Sequence, residues 1–66
     1  MIYVLLADGF EEVEALAPVD LLRRAGLQVQ TVGIGSACPV GAHGIPVKAD
    51  VPEAAAELSC MEALVL

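Results

Sequence analysis

With 66 residues, 58% of them hydrophobic, one Phe, one Tyr and no Trp, the chain can form one small domain or part of a larger one, cored by Val, Leu, Ile and Ala. Nine acidic residues against three basic ones give a net charge of −6, which argues against an electrostatic grip on nucleic-acid phosphates. No apolar stretch nears the roughly 20 residues that span a bilayer, and no basic n-region or cleavage site marks a leader, so the expectation is a cytoplasmic protein with neither nucleic acid nor membrane as partner.

The run IYVLLA at residues 2–7 is continuously apolar with β-branched members and ends at the turn signal Asp8-Gly9, as a strand covered on both faces would. Residues 11–25 then place Val13, Leu16, Ala17 and Leu21 at helical spacing. Acidic residues fill the first turn and Arg23-Arg24 the last, complementing the helix dipole, and Gly26 follows as a terminating residue. Residues 27–34 alternate before turning apolar and predict a second strand. Strand, helix and strand in succession make a βαβ unit with a right-handed crossover. The fold class is therefore α/β with a mostly parallel sheet.

Beyond Gly35, the glycine-rich residues 36–44 predict a loop. Residues 45–49 predict a short strand that Pro46 confines to a sheet edge. Residues 51–58, with Pro52 near the first helical position, predict a short helix, and residues 62–66, EALVL, begin another buried strand. Ending there leaves an open strand edge, so the chain reads as the N-terminal portion of a single larger domain.

Gly33-Ile34-Gly35 lacks the third glycine of a dinucleotide fingerprint, because Cys38 occupies that position. Cys38 and Cys60 have only His43 beside them, which is no zinc pattern, and nothing else suggests a disulfide scaffold; both are read as reduced thiols. A lone loop histidine is read as a surface or pocket-rim residue. No metal or cofactor is expected.

The densest chemical signal is DGFEEVEALAPVD at residues 8–20. In open α/β sheets ligands bind outside the carboxyl ends of strands, which is where this turn falls. Glu11, Glu12 and Glu14 are explained in the first instance as helix-start acids facing water, Glu12 most clearly so. Glu14 is singled out because Pro18 lacks the N–H that would bond the Glu14 carbonyl. Its side chain also leans toward Leu16 and Ala17, where partial burial and the nearby Glu11 would favour its neutral, hydrogen-bond-donating form.

VLLADGFEEVEALAPVDLLRRAGLQV, together with the V-K-A-D segment and the closing A-L-V-L, resembles the N-terminal part of the ThiJ/PfpI family, in the branch of the parkinsonism-associated protein deglycase and bacterial thiazole-biosynthesis relatives. The resemblance implies a flavodoxin-like sandwich, similar to class I glutamine amidotransferases, usually homodimeric. It implies a reactive cysteine at a strand-to-helix elbow, with Glu14 as its protonated partner and Gly9 and Glu11 lining the same pocket. The implied activity is glyoxalase- or deglycase-like conversion of methylglyoxal-type carbonyls. Alternatives are a non-catalytic stress-response chaperone or interaction module, or a protease- or amidase-type relative. The family's cysteine follows a Pro-Gly-Gly turn that is expected directly after ALVL and is not among these 66 residues. Neither Cys38 nor Cys60 stands at such an elbow, so the chain alone is expected to be inactive.

Overall fold

The structure, a computed structural model, describes residues 1–56 and the backbone of residues 63–65. Strand β1 (Ile2–Ala7) leads into helix α1 (Glu12–Arg24) and strand β2 (Val29–Ile34). A two-residue strand β3 (Val51–Pro52), a 3-10 turn (Glu53–Ala55) and strand β4 (Ala63–Val65) follow. The four strands form one sheet in the order β3-β2-β1-β4. All three pairings are parallel, with Ile2 facing Val29 on one side of β1 and Ala63 on the other.

This order follows from the sequence. A continuous apolar strand suits a central position with neighbours on both sides, and Ile2, Tyr3, Val4 and Leu6 of β1 are all buried. Helix α1 packs on one face of the sheet. Ile2, Val4 and Leu6 of β1, Val29 of β2 and Val19 of α1 form the core, flanked by Ala15, Leu16 and Leu22.

The buried stripe of α1 thus runs through residues 15, 16, 19 and 22. It is rotated from the expected face, since Val13 is 78% exposed and Leu21 62%. One turn back along the same stripe lies Glu12, which is buried because residues three and four apart share a helix face. The helix passes through Pro18 as one continuous element. Its packed stripe on both sides of the proline supports it across the one hydrogen bond that Pro18 cannot donate.

Residues 45–49 do not form a strand of the parallel sheet. They fold back on residues 37–41 as an irregular hairpin, with Ala49 N–H donating to the Ala37 carbonyl, Val47 N–H to that of Pro39 and Gly41 N–H to that of Ile45. Only Val40 and Pro46 meet as a formal antiparallel bridge; the prolines at 39 and 46 have no N–H to extend the ladder. The strand beside β2 is instead Val51–Pro52, where a helix was expected. Pro52 is extended, with ψ 162°, and the helical stretch among the described residues shrinks to Glu53–Ala55. Residues 57 and 58 of the expected helix, together with Cys60, lie outside the described residues.

Asp50 secures the return from the hairpin to the sheet. Its Oδ2 accepts from Thr31 N–H at 2.8 Å, from the Thr31 hydroxyl at 3.1 Å and from the Arg23 guanidinium at 2.5 Å. The Asp50 N–H donates to the Thr31 hydroxyl at 2.8 Å. Burial works against the charged form, but the Thr31 donors and Arg23 hold the Asp50 carboxyl below its ordinary value. Arg23 also donates to the Val29 carbonyl, so one cluster ties the end of α1, the start of β2 and the hairpin exit.

Candidate functional site

The chain leaves β1, crosses to β2 on one side and later returns to place β4 on the other side. The carboxyl end of β1 is therefore a topological switch point, where strand connections diverge and leave a crevice. The acidic turn, residues 8–12, occupies it. Gly9 adopts φ +92°, a left-handed conformation that admits glycine without strain, and so lets the strand turn into α1.

The hairpin tip fastens to this turn along its length. Gly9 N–H donates to the Val40 carbonyl at 2.8 Å and Ala42 N–H to the Phe10 carbonyl at 2.8 Å. Val40 N–H donates to Asp8 Oδ1 at 3.0 Å. The Glu12 carboxylate completes the junction: Oε2 accepts from His43 N–H at 2.8 Å and Ile45 N–H at 3.4 Å, and Oε1 lies 2.9 Å from His43 Nδ1. The close approach depends on Gly41, because a Cβ there would overlap the Glu12 carboxylate.

The charges are mutually adjusted. The His43 ring, with the Glu12, His43 and Ile45 backbone donors, holds the Glu12 carboxyl down to about 2 against the opposing effect of burial. Glu12, through its hydrogen bond and its charge, and Glu11, through its charge, raise the His43 imidazole above its ordinary value. Glu11 Oε2 is 3.9 Å from His43 Nδ1. The ligand-type atoms of Glu11, Glu12 and His43 lie within 4.8 Å of one another, but both Glu12 oxygens are already engaged by N–H groups, so the carboxylate needs no cation to be satisfied and no metal site is assigned.

Glu11, Glu12, Val13, Glu14, His43 and Ile45 line an open cavity of about 340 Å³. The three glutamates have separated roles. Glu12 is buried and spent on the fold, which corrects its reading as the most clearly water-facing acid; Glu11 and Glu14 are exposed. Partial burial of Glu14 on the apolar face is not what the structure has, because that face is rotated toward Ala15, Leu16 and Val19. Gly9 is exposed at the head of the same turn. Cys38 is an exposed free thiol in the hairpin, away from any strand-to-helix elbow. His43 stands at the pocket rim with its side chain 73% exposed, as expected for a loop histidine. The sequence reading missed its partnership with Glu12.

A parallel α/β sheet with a glycine-and-glutamate turn at its switch point puts the chain in the open, doubly wound α/β class to which flavodoxin-like folds belong. Comparison with known proteins narrows this. The profile of the DJ-1/PfpI family matches residues 1–66, and the chain belongs to that family. Residues of this chain are 49% identical over 37 positions to the Parkinson disease protein 7 homolog of Danio rerio, covering 56% of this chain and 20% of the relative. Among solved structures, a DJ-1 superfamily protein from Salmonella typhimurium, solved as a cysteine-to-alanine mutant, superimposes with TM-score 0.90 at 39% identity, over 98% of this chain and 36% of that one. Oxidized DJ-1 from Toxoplasma gondii gives TM-score 0.88 at 31% identity, over 96% of this chain and 35% of that one. The chain spans about a third of these solved relatives. Among the described residues, no helix is long and apolar enough to cross a membrane.

Proposed function

We propose that this chain is the N-terminal portion of a cysteine-dependent, cytoplasmic DJ-1/PfpI domain acting on methylglyoxal-type carbonyls, with its acidic turn as one side of the pocket. Glu14 serves as the hydrogen-bond partner of the cysteine, taking its protonated, donating form when the cysteine-bearing segment covers its exposed carboxyl, and Gly9 and Glu11 line the pocket. The observation that carries this reading is the division of labour at the switch point. Asp8 and Glu12 are consumed in holding the hairpin, while Glu11 and Glu14 remain exposed beside the same cavity. An acid not needed by the fold is free to meet a reacting group.

The chemistry suits a site without a redox cofactor. Methylglyoxal and lactic acid differ by one water, since the aldehyde carbon is oxidised as the ketone carbon is reduced. A thiolate adding to the aldehyde, followed by proton transfer between the two carbons and hydrolysis of the thioester, balances without an external oxidant. A protonated Glu14 donating to the sulfur would favour the thiolate that starts the sequence. Cys38 sits in the hairpin, so the nucleophile is supplied by another segment of the domain. The test is a lactate assay with methylglyoxal on the 66-residue chain, expected to show no turnover. Lactate formation that disappears in Glu14→Gln would overturn the assignment of the nucleophile to another segment.

A second reading, as a homodimeric interaction module or chaperone, draws support from the exposed apolar residues Val13 and Leu21 on α1. Sedimentation of the chain and of Val13→Glu tests it, with a dimer lost on substitution as the supporting result and a monomer in both as the opposing one.

A further inference from the structure

The hairpin tip contributes two residues to the junction with α1 whose three bonds converge on one buried carboxylate, and just one of its side chains titrates. His43 N–H and Ile45 N–H both donate to Glu12 Oε2, and the His43 ring pairs with Oε1. Gly41 supplies the clearance. The charged groups facing the imidazole are all acidic. Glu12 and Glu14 come from the first turn of α1 and Glu11 from the residue before it, around the shared cavity, while Asp8 of the turn after β1 is engaged by Val40 N–H. The basic residues stand elsewhere: Arg23 pairs with Asp50 and Arg24 with Asp20 toward the other end of α1, and Lys48 lies on the returning arm of the hairpin.

We propose that Glu12 and His43 form a proton-operated latch, a pair of positioning residues that fixes the hairpin tip as the wall of the pocket holding Glu11 and Glu14. The proposal rests on reading that cavity as the carbonyl pocket. When the imidazole is charged, its Nδ1–H donates to a full carboxylate charge, the stronger class of hydrogen bond, and Glu11 adds its attraction. When the ring proton is lost, the tip keeps its backbone bonds to Glu12 but gives up the ion pair, and the ring keeps at most the hydrogen bond of a neutral donor to the carboxylate. The wall then loosens, and the cavity loses the one positive charge among its carboxylates. His43 is reachable by solvent protons because its ring is exposed, whereas the carboxylate it grips is not.

The test is nuclear magnetic resonance on the 66-residue chain from pH 5 to 9, following the His43 ring and the hydrogen-exchange protection of the Ile45 amide. The expected result is a His43 midpoint above the ordinary histidine value, with Ile45 protection falling up to about fivefold across that midpoint, the most that an ion pair with a solvent-exposed partner contributes. In His43→Ala the Ile45 amide still has Glu12 as acceptor, and its protection should no longer follow that titration. An ordinary midpoint, or Ile45 protection that ignores the titration, overturns the latch. Neither readout involves substrate, so failure of the latch is distinguishable from failure of the carbonyl reading, which methylglyoxal turnover by the whole cysteine-containing domain decides.

Discussion

The Glu12 carboxylate and Gly41 are fitted so closely that the hairpin crosses the helix start only where a side chain is missing. A Cβ on Gly41 would overlap the carboxylate of a residue that is itself buried and held by N–H donors. Gly41→Ala must therefore displace Glu12 and break its bonds or push the tip away. The expected loss is about 1–3 kcal/mol, the usual range for overpacking, measured by urea denaturation. In a Glu12→Ala background the obstruction is gone, and the cost of Gly41→Ala should shrink, a coupling expected of residues in direct contact.

Stability should depend on pH in two separate windows. The Glu12 carboxyl is lowered from 4.5 to about 2, so its contribution is complete above 4.5 and is lost as pH falls toward 2. The His43 imidazole is raised above 6.5, so its contribution is complete below 6.5 and is lost as pH rises through the folded value. Denaturation midpoints from pH 2 to 9 should fall at both ends, and His43→Ala should flatten the alkaline side.

Asp50→Ala should remove the acceptor of the buried Thr31 N–H. Leaving such a group unsatisfied costs about 1–3 kcal/mol. The lower part of that range is expected, because the Asp50 side chain is 38% exposed and water can reach the vacated space. The loss is measurable by thermal melting, and the Thr31 amide should exchange faster.

Leu6→Ala empties the most deeply buried position of β1. Core truncations of this type cost about 2–5 kcal/mol, and a domain of this size has little stability to spare. Circular dichroism should show a transition shifted far downward or no cooperative transition at all.

The elements built on local patterning were legible in the sequence. β1 announced itself as a short apolar run, α1 through its terminal charges and Gly26, and β2 through its β-branched residues. The turn at the switch point was legible too, since Gly9 and the acids lie where an open sheet exposes its strand ends. The phase of α1 was not. Counting from Val13 and Leu21 set the apolar face about one residue away from the stripe through Ala15, Leu16, Val19 and Leu22, and that rotation exchanged the environments of Glu12 and Glu14. Extending the stripe back by one turn would have pointed to Glu12. The hairpin was illegible for a different reason. Its fastenings come from Asp8, Glu12 and Thr31, distant in sequence, and neither periodicity nor turn propensity reports hydrogen bonds between segments so far apart.

The sheet order has a kinetic consequence. β1 pairs with β2 soon after it in sequence, but its other edge pairs Ile2 with Ala63, a contact that closes nearly the largest loop available within these residues. Closing such a loop carries an entropic cost before its contacts form, and distant pairings slow folding. On a ribosome, β1, α1 and β2 would emerge and collapse first, leaving one flank of the central strand with unpaired backbone groups until residues 63–65 arrived. During that interval the nascent chain would be most vulnerable to pairing with the wrong strand.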